Sequence, residues 1–145
     1  MRPQVDIVEL IMQAKIGRER RDAQIETCAP FAAALYDVLE ENGFEVRMVT
    51  AGRTGVSANM TWYHSVVQVD GRFYDSMGEF STEIVRKRNR IHHSVNYELS
   101  FMPDTRDDCF DADDYQALYE FLLKELRKSA RKLQTREAAT VNGPR

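Results

Sequence analysis

The dipeptide Asp70-Gly71 is the strongest constraint on how this chain folds, because it sits between TWYHSVVQV and RFYDSMG, two stretches rich in β-branched and aromatic residues. Asp-Gly in that setting is the commonest short signal for a type I′ β-hairpin, whose two turn residues both need positive φ. With these two residues as the turn, Val69 faces Arg72, Val66 faces Asp75 and His64 faces Met77. His64 and Asp75 then share one face as diagonal neighbours, roughly 7–8 Å apart at the backbone and closer at the side-chain tips. A slip of one residue would put them on opposite faces. The hairpin therefore predicts an imidazole–carboxylate pair.

Periodicity and punctuation place the other elements. Apolar residues from Val5 to Met12 read as a helix, and the charged stretch Arg18 to Asp22 as its solvated end or a loop. Thr27 is placed to cap a helix over CAPFAAALYDVLEE, with Pro30 tolerable in the first turn and Asn42-Gly43 as the stop. Phe44, Val46 and Met48 alternate as a strand, and AGRTGVSAN follows as a polar loop. Ser81 or Thr82 caps a short helix over EIVRKRNR, and SVNYELSFM alternates as a further strand before Pro103. A last helix starts near Asp113 and carries Tyr115, Leu118, Tyr119, Leu122 and Leu126 on one stripe. From Gln134 the chain lacks apolar content, which predicts a disordered tail over 134–145. The expectation is one α+β domain over 1–133. Its small antiparallel sheet has three to four strands at about 44–50, 60–69, 72–76 and 94–101, packed on the helix that Cys28 opens and flanked by terminal helices.

Charge and composition exclude several function classes. The 20 basic and 23 acidic residues leave a formal charge of −3, so no global field draws the chain onto nucleic acid or anionic lipid. No apolar run approaches the roughly 18 residues that cross a bilayer, and Asp6 and Glu9 interrupt the start where a signal peptide needs apolar residues. The expected location is cytoplasmic. Two cysteines, Cys28 and Cys109, allow one disulfide at most, and a chain of 145 residues folds without one.

Cys28 carries the most chemistry. A thiol in the first turn of a helix meets unpaired backbone N–H groups and the positive end of the dipole, both of which favour thiolate. The bland alternative is a small hydrophobe packed beside Ala29, Ala32 and Ala33. What shifts the balance is the pair on the hairpin: a thiolate nucleophile needs a base and acid beside it, and that base needs a third group to hold its tautomer.

The order TCAPFAAALYDVLEENGFEVRMVT, then WYHSVVQVDGRFYDSMG, resembles the core of the transglutaminase-like branch of the papain-like cysteine enzyme superfamily. There a nucleophilic Cys opens a helix, His lies on a following strand, and Asp lies on the strand after a hairpin. The match covers about Thr27 to Gly78 and rests on order and spacing rather than on one motif. The resemblance implies Cys28 as nucleophile, His64 as general base and then acid, and Asp75 as the orienting carboxylate. It implies the backbone N–H of Cys28 as an oxyanion donor. Gln24 is the nearby candidate for the oxyanion-hole glutamine that papain-like relatives place upstream. Trp62 and Tyr63 precede His64 and are the expected substrate-binding walls. Relatives commonly have an aromatic residue just after the histidine, where this chain reads HSVV.

Other patterns are weaker. His64, His92, His93, Cys28 and Cys109 show no metal-ligand spacing, and DTRDDCFDADD lacks the glycine and closing glutamate of a calcium loop, so no metal and no cofactor are expected. Arg86, Lys87, Arg88 and Arg90 form a basic run that usually reads as a solvated face. The acidic neighbours of Cys109 disfavour it as a nucleophile. The expected function is cysteine-dependent acyl transfer from peptide or side-chain amides through a thioester on Cys28, with a protein or peptide as substrate. The alternative is a catalytically silent module of the same fold that binds a protein or nucleic-acid partner.

Overall fold

The computed structural model describes residues 5–24, 27–53, 63–88, 90–92, 94, 99–104 and 115–142, with the side chains of Arg53, Tyr63 and 136–142 outside that description. The described chain is α+β: α1 (Ile7–Gln13), α2 (Glu19–Asp22), α3 (Cys28–Glu41), β1 (Arg47–Arg53), β2 (Tyr63–Val69), β3 (Arg72–Asp75), β4 (Gly78–Phe80), α4 (Thr82–Arg88), β5 (Leu99–Pro103) and α5 (Tyr115–Asn142). The five strands form one antiparallel sheet in the order β4-β3-β2-β1-β5.

The hairpin turns where the sequence predicts. Asp70 and Gly71 have φ of 51° and 79°, the two positive values that a type I′ turn needs. Val69 pairs with Arg72, Gln68 with Phe73 and Val67 with Tyr74. One predicted partner is corrected: Met77 does not lie opposite His64, because the chain reverses at Ser76-Met77 and Asp75 pairs with Gly78 in β4, a strand the sequence did not suggest.

Alternation then divides the core. Met48, Val67, Val69 and Tyr74 point to one face, where α3 and α5 bury Phe31, Leu35, Val38, Leu39, Leu122, Leu126 and Leu133, and α1 adds Leu10 and Ile11. Val49, Ala51, Val66 and Phe80 point to the other, with Val85 of α4 and the stacked rings of Phe73 and Phe101, whose centroids are 4.0 Å apart. Ser129 Oγ donates to the Leu10 carbonyl at 2.6 Å and ties α5 to α1. The Tyr119 hydroxyl meets the Asp37 carboxylate and ties α5 to α3.

Several boundaries differ from the sequence reading. The first strand begins at Arg47 and runs on through Ala51-Gly52-Arg53, which composition assigned to the loop. Strands on both sides, β2 and β5, satisfy that backbone, and this tertiary pairing overrides weak local propensity. The described part of the last strand is Leu99–Pro103; Pro103 is accommodated because β5 is an edge strand. Thr27 is the N-cap of α3 by position, but its hydroxyl makes no capping bond. Ser81 does cap α4, accepting the Ile84 N–H at 3.1 Å. The expected tail from Gln134 is helical as far as Asn142. Glutamine, arginine, glutamate and alanine carry the helix on, without a breaker before Gly143-Pro144. No helix among the described residues is long and apolar enough to cross a membrane.

Candidate active site

Three element ends converge. Cys28 is the first residue of α3, His64 is the second of β2, and Asp75 is the last of β3. His64 and Asp75 are 4% and 2% exposed, so their pairing is shielded from water, while Cys28 is half-buried. His64 Nε2 lies 3.1 Å from Asp75 Oδ2. The imidazole also interacts with the Cys28 thiol, and each acts on the other's pKa, lowering the thiol and raising the imidazole. Phe80 packs on the imidazole, ring centroids 5.2 Å apart, and limits its swing.

The sulfur has a second partner that sequence reasoning missed. In the hairpin register the N–H groups of Val69, Val67 and Ser65 point towards β3, but the β2–β3 ladder stops at Val67↔Tyr74. Ser65 lies beyond it, and its N–H donates to Cys28 Sγ at 3.5 Å. A backbone donor aimed at sulfur favours the thiolate. The register already contained that signal; what it did not contain was where β3 would end.

The electrostatics follow from these contacts. Burial pushes the Cys28 thiol up, yet the hydrogen bonds with His64 and Ser65 and the nearby imidazole charge outweigh it, and the net direction is down. Burial pulls His64 down, but its bonds to Asp75 and Cys28, and their charges, raise it to about 9. Asp75 is pushed up by burial and brought below its ordinary value by His64, Arg88 and the Met77 N–H. All three directions favour a thiolate–imidazolium pair on an ionised carboxylate.

Asp75 is held from three sides. Oδ1 accepts the Met77 N–H at 2.9 Å, and Oδ2 takes Arg88 Nη1 at 3.2 Å besides His64. Behind it, Ser76 is fully buried: its hydroxyl donates to the Arg20 carbonyl at 2.6 Å and its own carbonyl accepts from Arg20 Nη1 at 2.7 Å. Arg20 also donates to the carbonyls of Ile11 and Ala14, both at 2.9 Å, so a residue read as solvated surface fastens α1 and α2 to the back of the site. Gln24 belongs to the same network. Its amide N–H donates to Ser76 Oγ at 2.8 Å and its amide oxygen accepts from Arg88 at 3.4 Å.

Other predicted residues fall elsewhere. Trp62 lies outside the described residues, and Tyr63 is described only as the backbone of β2 opposite Gly52. His93, Cys109 and the rest of residues 105–114 also lie outside them, whereas Asp104, at the start of that acidic stretch, accepts from Thr50 Oγ1 at 2.6 Å and His92 hydrogen-bonds Ser94 at 2.7 Å. A cavity of about 570 Å³ sits at the β1–β5 side, between Tyr36, Met48, Val49, Phe101 and Pro103, and none of Cys28, His64 and Asp75 lines it. Comparison with protein-family models, with curated proteins and with solved structures finds no match to this chain.

Proposed function

We propose that the protein is a cysteine-dependent acyl-transfer enzyme with a transglutaminase-like, papain-like core, acting on peptide or side-chain amides. The observation that carries this reading is the convergence of Cys28, His64 and the buried Asp75, with Ser65 N–H on the sulfur, Nε2–Oδ2 at 3.1 Å, and Cys28 and His64 acting on each other's pKa. A structural cysteine requires none of these contacts.

In the reaction the Cys28 thiolate attacks the amide carbonyl carbon, and the carbonyl electron pair moves onto oxygen. The backbone N–H of Cys28, in a helical first turn that lacks intrahelical acceptors, is the oxyanion donor this reading assigns. As the C–N bond breaks, the His64 imidazolium gives its proton to the departing amine, leaving a thioester on Cys28 and neutral His64. Water or a second amine then loses a proton to His64 as it attacks the thioester. Release of the acid or new amide returns the thiolate and the imidazolium. Asp75 stays ionised and keeps Nε2–H directed at itself throughout.

Mass spectrometry of a mixed protein extract incubated with wild type and with Cys28→Ala tests this directly. New termini, one-dalton shifts at glutamine or amine cross-links, present with wild type and absent with the variant, are the expected results. No Cys28-dependent change with both proteins folded would overturn the reading and leave an interaction module of the same fold.

A further inference from the structure

Arg88 stands in the basic run of α4, where charge alone suggests a solvated face, yet its guanidinium is bonded in three directions. Nη1 reaches Asp75 Oδ2 at 3.2 Å and Gln24 Oε1 at 3.4 Å, and Nη2 reaches the Glu79 carbonyl at 3.1 Å. One planar fork thus joins the segment that leads into α3, the carboxylate at the end of β3, and β4. The neighbouring cations differ: Lys87 pairs with Glu83 on α4 itself, and Arg86 donates to the His92 carbonyl.

The carboxylate oxygen that Arg88 holds is the one His64 uses. We propose that Arg88 is a positioning residue of this site: from α4 it fixes the Asp75 carboxylate that orients His64, and it draws part of that carboxylate's charge away from the imidazole. The catalytic consequence rests on the acyl-transfer reading above, whereas the electrostatic one does not.

Two cations on one oxygen compete for the same negative charge. With Arg88 present, the imidazolium is less strongly held and releases its proton to a leaving group more readily than it would beside an unshared carboxylate. The charged groups facing His64 are Asp75 from β3 and Cys28 from α3, with Arg88 of α4 across the shared oxygen; β4 contributes the neutral ring of Phe80. The Glu79 carboxylate is turned to Arg72, at 3.9 Å. The Arg88 side chain is 27% exposed, so solvent screens part of its charge and the effect is smaller than for a sealed pair.

The test is the pH titration of the His64 imidazole by NMR, alongside the pH profile of Cys28 alkylation by iodoacetamide, in the full chain and in Arg88→Gln and Arg88→Lys. Losing a like charge favours the imidazolium, so Arg88→Gln is expected to raise the His64 midpoint by about half to one pH unit, with the upper limb of the alkylation profile moving with it. Arg88→Lys keeps the charge and is expected to stay near wild type. Arg88→Met, neutral and of similar length, replaces Arg88→Gln if that variant does not fold. Equal midpoints in wild type and the neutral variants would overturn the proposal, as would a rise in Arg88→Lys equal to that in Arg88→Gln. Neither readout needs turnover. A protein inactive on every amide that still shows the Arg88→Gln shift would overturn acyl transfer and keep Arg88, while normal turnover without the shift would do the reverse.

Discussion

His64→Ala, read by the alkylation rate of Cys28 at pH 6, probes the thiolate–imidazolium pair most directly. In the wild type the thiol is held below its ordinary value and His64 is raised to about 9, and both directions favour the thiolate–imidazolium pair. Removing the imidazole takes away a hydrogen bond and a positive charge, and leaves the sulfur with burial and the Ser65 N–H alone. A thiol at its usual value of about 8.5 carries roughly 0.3% thiolate at pH 6, and burial lowers that fraction further. Weakly basic thiolates are intrinsically slower nucleophiles, with a Brønsted slope of about 0.4–0.5, which returns part of the difference to the variant. The net expectation is an alkylation rate roughly 10–100-fold lower at pH 6, narrowing towards pH 9 as the variant's thiol ionises unaided. Peptide-level mass spectrometry after iodoacetamide treatment at pH 5 to 9 separates Cys28 from Cys109, and circular dichroism checks that the variant is folded. A folded His64→Ala whose Cys28 reacts within about twofold of wild type at pH 6 would refute the ion pair.

Three further substitutions carry expected outcomes. Asp75→Asn removes the anion beside the imidazole, so the His64 NMR midpoint should fall from about 9 and turnover should drop while remaining above that of Cys28→Ala. Because the folded Asp75 is held low, it contributes stability that is present above its unfolded value of about 4 and lost as pH falls through its folded value, so urea titrations should show a larger gap between wild type and Asp75→Asn at pH 6 than at pH 3. Arg20→Ala strips a donor from the carbonyls of Ile11, Ala14 and Ser76 and should cost about 2–4 kcal/mol in urea unfolding, where a loss below about 0.5 kcal/mol would mean water replaces those bonds. Gly71→Val should cost roughly 1–2 kcal/mol from φ 79° alone, since nothing lies within 4 Å of the added Cβ; a neutral result on a thermal melt would show that the turn yields.

What the sequence makes legible here is what neighbouring residues decide among themselves. A two-residue turn sets its own register, so Asp70-Gly71 places His64 and Asp75 on one face before any tertiary contact exists. Thr27 and Pro30 likewise mark where a helix starts, and so put Cys28 in its first turn. Arg88 and Arg20 gave no such signal. Each sits in a charged run that reads as surface, and the bonds that tie each to the site, Arg88 to Asp75 and Arg20 to the Ser76 carbonyl, exist only where β3 turns into β4. β4 was equally hidden, because Gly-Glu-Phe has no periodicity of its own and becomes a strand by pairing with β3.

The two kinds of information meet at the ends of the elements. In mid-strand or mid-helix, each backbone N–H is used by the ladder or by the residue four back, and none is left for a side chain. Cys28, His64 and Asp75 all stand at or next to an end, where that demand lapses. Ser65, one step past the last β2–β3 pair, turns its N–H to the Cys28 sulfur; Met77, in the turn after β3, gives its N–H to Asp75 Oδ1. Cys28 and Asp75 are thus each met by a backbone N–H that the surrounding secondary structure leaves for a side chain, and His64 by the Asp75 carboxylate that one of them holds. That is why a short β3, ending at Asp75, matters as much to the site as the identity of the three side chains it helps to assemble.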